Sequence, residues 1–184
     1  VNTVTSVDKS DLTTRDEEPM SSNQAGAPSA SVALRQSLDL SAVHTVIYTS
    51  GTTGRPKGAM LTYGNHWWSA IGSALALGIH EQDKWLSALP FFHVGGLAIL
   101  MRSVIWGIPA VIHQEFDPAA VNRSIDEEGV TIVSLVPAML QQLLDQRGER
   151  SYPATLRRVL LGGGPAHPNL IKECVRRRIP VVQS

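Results

Sequence analysis

Residues 109–137, PAVIHQEFDPAAVNRSIDEEGVTIVSLVP, contain one complete strand–helix–strand pattern. The first part, Pro109 to His113, is a short apolar run that predicts a strand. Asp117-Pro118 then supplies an N-cap side chain and a first-turn proline, and Gly129 closes the predicted helix. The β-branched run Val130 to Val136 predicts a second strand. Because strands joined through a helix run parallel, this stretch predicts a parallel sheet.

The same alternation continues on both sides of this stretch. Further strands are predicted at residues 43–49, 84–89, 156–161 and 179–182, and further helices at residues 97–106, from Pro137 onward and at residues 169–177. Strands that alternate with helices at this spacing indicate the α/β class, with a parallel sheet flanked by helices. Ligands in such sheets bind at the carboxyl ends of the strands, so the loops after strands are the candidate functional segments.

One more helix is predicted after Asn65, whose side chain can cap it. Trp68, Ile71 and Leu75 share one face of this helix, a pattern that predicts burial of that face. Core packing is favoured for both Trp67 and Trp68.

The chain has 184 residues and a formal net charge of zero, and its 43% of hydrophobic residues suffices for a core. The charge is unevenly distributed, because residues 1–43 sum to −3 and residues 44–184 to +3. We expect residues 1–43 to form an acidic lead segment, rich in Ser, Thr and Ala and with linker character, before a domain over residues 44–184. A neutral total gives no electrostatic case for a nucleic acid or a membrane surface as partner.

Side chains that build disulfides or metal sites are sparse. Cys174 is the single cysteine, which excludes an internal disulfide framework and favours a reducing compartment, the cytoplasm. The six histidines are scattered without metal-ligand spacing, so no metal ligand is predicted. The longest apolar stretch, Val94 to Ile112, is interrupted by Arg102 and Pro109, so no membrane-spanning helix is expected.

The loop after the first predicted strand reads TSGTTGRPKG, from Thr49 to Gly58. It combines four hydroxyls, three glycines and a lysine. Glycines let successive backbone N–H groups point into one concavity, and hydroxyls and a lysine add donors for phosphate oxygens. A flexible surface turn is the alternative, since turns also favour Ser, Gly and Pro. The combination favours phosphate binding, although it differs from the Walker pattern.

Residues 48–58, YTSGTTGRPKG, resemble the phosphate-binding signature of the adenylate-forming superfamily, which contains acyl- and aryl-CoA synthetases, nonribosomal adenylation domains and firefly luciferase. The resemblance implies that the chain forms part of the large N-terminal domain of such an enzyme. It also implies that this loop holds the phosphates of ATP and then the departing pyrophosphate. The residues to which this role transfers are Thr49, Ser50, Gly51, Thr52, Thr53, Gly54 and Lys57.

Three further segments, LTYGNHW at 61–67, PFFHVGGL at 90–97 and LLGGGPA at 160–166, occur in the order of the superfamily. Together they most resemble the o-succinylbenzoate–CoA ligases, which serve menaquinone biosynthesis, over residues 38–184. The resemblance implies a carboxylate substrate, ATP, Mg²⁺, and CoA as co-substrate. The alternatives are another acyl- or aryl-CoA synthetase, or a catalytically inactive remnant that only binds nucleotide. Assembly of the protein into a homo-oligomer is a further alternative that the sequence leaves open.

His93 follows a predicted strand and precedes two glycines. A satisfied core histidine is the alternative interpretation of such an apolar setting. The superfamily places this histidine beside the substrate carboxylate, which implies a catalytic role for His93 as a gate or orienting donor. A general base is not required, because the carboxylate has a reference pKa of roughly 4 and is already ionised at neutral pH.

Two further segments are candidate binding residues. Gly162, Gly163, Gly164 and Pro165 follow a predicted strand, and the superfamily uses this loop around adenine and the acyl substrate. A tight strand-to-helix turn is the alternative, although it needs about one glycine. Arg102 interrupts an apolar helix, so it either reaches the surface or faces an anion in a pocket. Since o-succinylbenzoate has two carboxylates, Arg102 is a candidate substrate-binding residue.

The resemblance also implies what the remainder of such an enzyme supplies. The superfamily's Tyr-Gly-x-Thr-Glu motif, whose Glu helps to bind Mg²⁺, is expected beyond Ser184, as is the mobile C-terminal subdomain. We therefore expect the 184 residues alone to be inactive in adenylation.

Arginines form a second notable group, Arg176 to Arg178 together with Arg157 and Arg158. Such a group could bind nucleic acid or the phosphates of CoA. A solvated helix end is favoured, because helix C-termini attract arginine through the helix dipole. Cys174 lies in the same helix and is predicted to be structural.

Overall fold

A computed structural model describes residues 36–49 and 56–184 of the chain. It divides into a first compact unit that ends at Gly64 and a second from Asn65 to Ser184. The elements in chain order are β1 (Val43–Thr49), β2 (Lys57–Thr62), α1 (Tyr63–Leu77), β3 (Trp85–Ser87), α2 (Val94–Trp106), β4 (Ala110–Ile112), α3 (Pro118–Glu127), β5 (Ile132–Leu135), α4 (Pro137–Arg147), β6 (Arg158–Leu161), α5 (Pro168–Arg176) and β7 (Val181–Gln183).

The first unit contains an antiparallel hairpin. β1 has the bounds predicted for it, and it pairs with β2 from Val46 opposite Met60 to Thr49 opposite Lys57. The sequence pattern missed β2, so the expectation that β1 belongs to the parallel sheet is wrong. Antiparallel strands need only a short connection, and the connection here is residues 50–56. The glycine-rich loop is therefore the end of a hairpin.

The second unit contains a five-stranded parallel sheet in the order β4-β3-β5-β6-β7. β3, β4, β5 and β6 fall within segments predicted as strands, with shorter bounds, whereas β7 overlaps its predicted segment and extends one residue past it, to Gln183. Helices connect the five strands. The α/β class with a parallel sheet flanked by helices is therefore confirmed. In α3 the Asp117 carboxylate accepts a hydrogen bond from the Ala119 N–H at 2.8 Å, as its predicted N-cap role requires.

Apolar side chains cover both faces of this sheet. On one face Leu86, Val133 and Val159 pack with residues of α3, α4 and α5. On the other face Trp85 and Ile132 pack with apolar residues from α1 and α2. Strands that are buried on both faces carry apolar residues at nearly every position, which is why their existence could be predicted.

The first helix differs from its prediction in both start and orientation. It begins at Tyr63, before Asn65, and the Tyr63 N–H donates to the Ala42 carbonyl at 3.1 Å. Trp68 is 66% exposed and Leu75 86% exposed, so the predicted buried face is open. Trp67 is 41% exposed, so core packing is wrong for both neighbouring tryptophans.

Two arginines are held inside the second unit by carboxylates. Arg157 donates from Nε to buried Asp83 at 3.0 Å and from Nη1 to the Leu77 carbonyl at 2.6 Å. Asp83 also accepts from the Thr131 hydroxyl at 2.8 Å. Arg157 is therefore a structural residue, so the expectation of a solvated helix end is wrong at this position. Arg147 is buried and pairs with an aspartate of α3 at 2.7 Å.

The C-terminal end of α5 has a backbone feature of note. Arg178 has φ of 58°, a left-handed conformation that favours glycine. Its N–H donates to the Val175 carbonyl at 3.1 Å, and the Ile179 N–H donates to the Cys174 carbonyl at 2.8 Å. These two bonds form the Schellman arrangement that ends many helices. Cys174 is free and buried, which is compatible with the structural role predicted for it.

No helix in residues 36–49 or 56–184 combines the length and apolar character needed to cross a membrane.

Candidate active site

The glycine-rich loop connects the two strands of the hairpin. Thr49 and Lys57 lie opposite one another where the strands end, and the Thr49 hydroxyl is 3.4 Å from the Lys57 carbonyl oxygen. Both residues are exposed. The predicted phosphate-binding residues between them, Ser50, Gly51, Thr52, Thr53 and Gly54, lie outside the described residues. Their role stays a prediction.

Gly58, next to the loop, lies close to a side chain of the neighbouring strand. A Cβ built on Gly58 would lie 2.9 Å from the Val46 side chain on the neighbouring strand. A larger residue at this position would force the Val46 side chain to shift. Gly58 therefore leaves room for the Val46 side chain of β1.

His93 lies in the turn between β3 and α2, at the carboxyl end of the sheet. The His93 N–H donates to the Pro90 carbonyl, and the Leu97 N–H donates to the His93 carbonyl, both at 3.1 Å. Its exposed imidazole lies 4.5 Å from the Phe92 ring, centre to centre. The core interpretation of His93 is thus excluded by its exposure. Its position is the one expected of a residue that meets a ligand at the end of a strand.

A glycine of α2 makes this turn as tight as it is. A Cβ on Gly96 would lie 2.6 Å from the Leu89 carbonyl oxygen, which is closer than real Cβ contacts come. The first turn of α2 therefore packs directly on the backbone that leads to His93. This packing holds the backbone of the turn in place beneath the exposed imidazole.

The glycine loop 162–164 follows β6 at the same carboxyl end, with β5 between it and β3. The Gly162 N–H donates to the Leu135 carbonyl at 3.0 Å. Gly163 has φ of 81°, and a Cβ there would lie 2.9 Å from the Val136 side chain. The turn itself therefore requires Gly163. Gly164 and Pro165 are exposed, and a Cβ on Gly164 would contact nothing.

Arg102 lies on α2 about 13 Å along the helix axis from His93, given nine residues of helical rise. Its Nη2 donates to the Ser69 hydroxyl at 3.3 Å, and its guanidinium carbon is 5.5 Å from the centre of a Trp85 ring. Its Nε is buried, with no hydrogen-bond partner in the described part of the chain. Burial lowers the pKa of the Arg102 guanidinium. Arg102 is therefore a partly buried cation that retains free donors.

Two buried serines beside Trp85 were missed by sequence reasoning. Ser87 is the last residue of β3 and pairs with Ser134, the third residue of β5, on the face of the sheet that carries Trp85. The Trp85 indole N–H donates to the Ser134 hydroxyl at 2.9 Å, while the Ser87 hydroxyl has no partner within the described ranges. A hydroxyl inside an otherwise apolar strand was the signal that could have identified them.

The described residues do not provide a magnesium site. Within residues 36–49 and 56–184 no group of three or more His, Cys, Asp or Glu side chains could hold a metal ion. The two strands of the hairpin contain no Asp or Glu. Oxygen ligands with negative charge are what Mg²⁺ prefers, so these residues do not fit it.

Comparison with known proteins places the chain in a family. A family model described as AMP-binding enzyme matches residues 1–184. The 2-succinylbenzoate–CoA ligase of Geobacillus kaustophilus is 53% identical over 160 residues, which are 87% of this chain and 33% of that protein. The chain thus spans about a third of the length of this relative.

Solved structures show the same relationship. The o-succinylbenzoate CoA synthetase of Bacillus subtilis in complex with the acyl-adenylate intermediate OSB-AMP has a TM-score of 0.75 and 48% identity, covering 79% of this chain and 30% of that one. The same protein in complex with ATP and magnesium ion has a TM-score of 0.74 and 48% identity, with coverages of 79% and 31%.

A more distant structure is the inhibitor-bound N-terminal domain of FACL13 from Mycobacterium tuberculosis. Its TM-score is 0.70 and its identity 30%, over 80% of this chain and 38% of that one. These likenesses confirm the resemblance to adenylate-forming enzymes, to o-succinylbenzoate–CoA ligases in particular, and the assignment to an N-terminal domain fold. Since the family model matches the whole chain, the chain belongs to the family of AMP-binding enzymes.

Proposed function

We propose that the chain is part of an AMP-forming acid–CoA ligase that acts on o-succinylbenzoate. The reaction joins the carboxylate to ATP, giving an acyl-adenylate and pyrophosphate, and CoA then displaces AMP to give the thioester. One observation carries this proposal. The alignment with the Geobacillus ligase omits only 24 of the 184 residues, so as a continuous match it includes Lys57, His93 and Arg102.

On the nucleotide side, the loop between Thr49 and Lys57 would hold the phosphates of ATP. Backbone N–H groups of this glycine-rich loop would contact the phosphate oxygens, and Lys57 would add one compact positive charge. Charge neutralisation matters here because negative charge builds up on the departing pyrophosphate. Magnesium ligands would come from residues outside the described ranges, since the hairpin strands offer no carboxylate.

On the acyl side, His93 would orient the reacting carboxylate. The carboxylate is ionised at neutral pH, so attack on the α-phosphorus requires positioning more than proton removal. An exposed imidazole on a tightly packed turn suits that task. The neighbouring glycine loop, Gly162 to Pro165, would leave bare backbone for the adenine and the acyl group.

Arg102 would bind the second carboxylate of the substrate. A guanidinium with a buried free Nε and only a neutral hydroxyl partner is stabilised by an anion. A monocarboxylate would leave that site unfilled. The proposal of a dicarboxylate substrate depends on this residue.

The cellular compartment and the partners of the enzyme are also part of the proposal. A single buried, free cysteine suits a reducing compartment, and we infer a cytoplasmic enzyme with CoA, ATP and the carboxylate as its small-molecule partners. No nucleic-acid partner is proposed.

The test is a segment exchange. These 184 residues replace the matching segment of the Bacillus subtilis synthetase, and ATP–pyrophosphate exchange is measured with 2-succinylbenzoate, benzoate and a fatty acid. We expect exchange with 2-succinylbenzoate within about tenfold of the parent enzyme, and far less with the others. A hybrid synthetase that also carries Lys57→Ala, assayed in the same way, is the control for the role of the loop.

Two outcomes would contradict the proposal. Exchange that prefers benzoate or a fatty acid would favour another acyl- or aryl-CoA synthetase. Binding of ATP with no exchange by any acid, in a hybrid that folds, would favour a nucleotide-binding remnant.

A further inference from the structure

Two helices that pack on one face of the parallel sheet end close together at its amino-terminal edge. This edge is opposite the loops that carry His93 and the glycine loop. A cavity of about 320 Å³ lies between the end of α4 and the end of α5. Its lining residues, named here the arginine cavity, are Glu149, Arg150, Ser151, Tyr152, Arg176, Arg177 and Arg178.

The wall of the arginine cavity has a net positive charge. Four of its seven lining residues are arginines and one is a glutamate, a formal charge of +3, which the adjacent Glu173 carboxylate, paired with Arg176 and Arg177, reduces to +2. Guanidinium groups stay protonated across the whole physiological pH range. Their mutual repulsion in one concavity favours an anion between them.

Two of these arginines donate hydrogen bonds to backbone carbonyls at the ends of the two helices. Arg177 Nη1 donates to the Gly148 carbonyl at 2.5 Å, and Arg150 Nε donates to the Arg147 carbonyl at 3.3 Å. Such bonds are the usual way in which arginines satisfy the last carbonyls of a helix. Arg178 is different, because in the described part of the chain no hydrogen bond or ion pair engages its guanidinium.

Two carboxylates already pair with these arginines. Glu173, beside the cavity, accepts hydrogen bonds from Arg176 Nε at 2.8 Å and Arg177 Nε at 2.5 Å, and Glu149 lies in the cavity wall. The Glu149 carboxylate accepts two hydrogen bonds from Arg176 Nη2, at 3.1 and 3.0 Å, and lies 3.6 Å from Arg177 Nη2. The Glu149 side chain is 76% exposed. Exposed ion pairs are weak, so a solvent anion of higher charge can displace this carboxylate.

We propose that the arginine cavity binds a small anion with a diphosphate group in place of the Glu149 carboxylate. Guanidinium planes match phosphate oxygens through paired hydrogen bonds. The cavity has about ten times the volume that one water molecule takes in the liquid, which is room for two linked phosphates. Inorganic pyrophosphate, ATP and CoA all carry this group. The proposal is independent of the ligase function.

Calorimetric titration of the 184-residue chain with inorganic pyrophosphate tests the site. Every variant also carries Lys57→Ala, so that the glycine-rich loop contributes little. Arg178→Gly is expected to weaken binding about fivefold, and Glu149→Gln to strengthen it about threefold. Glycine suits the φ of 58° at position 178, so Arg178→Gly removes the guanidinium without straining the backbone.

Lys172→Ala is the matched control, because it removes a positive charge from an exposed position of α5 outside the cavity. Its affinity for pyrophosphate should equal that of the parent. Equal weakening by Lys172→Ala and Arg178→Gly would indicate unspecific attraction and overturn the proposal, as would the absence of binding or indifference to Arg178→Gly.

ATP and CoA, titrated in the same way, identify the source of the diphosphate. Tighter binding of either nucleotide that still depends on Arg178 assigns the cavity to that nucleotide. Binding no tighter than that of pyrophosphate assigns it to the free anion.

Discussion

Arg102 differs from the two well-buried arginine pairs of the second unit. Arg147 and Arg157 each have a carboxylate partner. Arg102 has a serine hydroxyl and the face of Trp85, and no ion pair in residues 36–49 or 56–184 includes it. A partly buried cation without a counter-charge lowers stability until an anion arrives. Its neighbours therefore make Arg102 the most informative residue for substrate choice.

Replacing Arg102 with methionine keeps the stem that packs on Trp85 and removes the charge. In the segment-exchanged synthetase, Arg102→Met should raise KM for 2-succinylbenzoate about tenfold, the value of one hydrogen bond to a charged group. KM for benzoate should change little. Arg123→Met, at an exposed position of α3, is the control, and an equal rise in both KM values would contradict the role of Arg102.

His93 allows a second residue-level prediction. His93→Ala should lower the rate of pyrophosphate exchange about 10- to 100-fold, because the carboxylate loses its orientation. The pH profile above pH 6 should keep its shape, since no proton is removed by this residue. His80→Ala, also exposed, serves as the control. A profile that loses a base in the His93 variant would instead indicate general-base chemistry.

At the scale of elements, the strands of the parallel sheet could be predicted and the hairpin could not. Runs such as Ile132–Leu135 are buried on both sides and read as strands whatever their neighbours are. β2 begins with Lys57 and Gly58, and its pairing with β1 is a backbone ladder between segments that no local pattern records. α1 was misread because helix periodicity identifies a face without showing what covers it.

The same distinction applies to the candidate functional residues, some of which could be predicted from the sequence and some of which could not. Local chemistry pointed to Lys57, His93 and the glycine loop. The buried hydroxyls of Ser87 and Ser134 depend on strand register, which only the folded sheet defines. Arg102 was identified as one of two alternatives, and its unpartnered Nε favours the anion-facing one.

The Asp83–Arg157 pair joins the end of α1 to the approach to β6, and it predicts acid sensitivity. Burial raises the pKa of Asp83, but hydrogen bonds from Arg157, His80 and Thr131 outweigh that effect and lower it overall. A lowered pKa stabilises the fold above the unfolded value of about 3.9, and this contribution is lost as pH falls through the folded value. The free energy of unfolding should therefore decline below about pH 4.

Asp83→Asn tests this clamp in urea unfolding at pH 7 and pH 3. At pH 7 the variant should lose about 3 kcal/mol, since it leaves Arg157 buried without its counter-charge. The difference from the parent should shrink at pH 3. Glu173→Gln is the half-buried comparison, because hydrogen bonds from Arg176 and Arg177 lower the pKa of Glu173 to about 2. A pH-independent difference for Asp83→Asn would contradict the electrostatic account.

At the scale of the whole molecule, the chain supplies about a third of the length of its relatives. The hairpin strands bring no carboxylate for Mg²⁺, and the described residues offer no metal cluster elsewhere. Positioning and charge neutralisation account for most of the catalysis proposed here. Both need residues that the relatives have outside the matched third of their length.

The 184-residue chain alone should therefore show no pyrophosphate exchange above background with 2-succinylbenzoate and ATP. The segment-exchanged synthetase, assayed in parallel, is the positive control. Exchange by the chain alone that disappears with Lys57→Ala would show that these residues suffice for adenylation.

The four tryptophans give the chain a built-in optical reporter. Trp68 is 66% and Trp67 41% exposed, whereas Trp85 is fully buried with its ring centre 5.2 Å from that of Trp106. Acrylamide reaches the first pair and is kept from Trp85, so quenching separates two populations of fluorophores. Because the Arg102 guanidinium lies over Trp85, an anion that arrives there changes the emission of the protected population. Substrate capture can thus be followed without any added label.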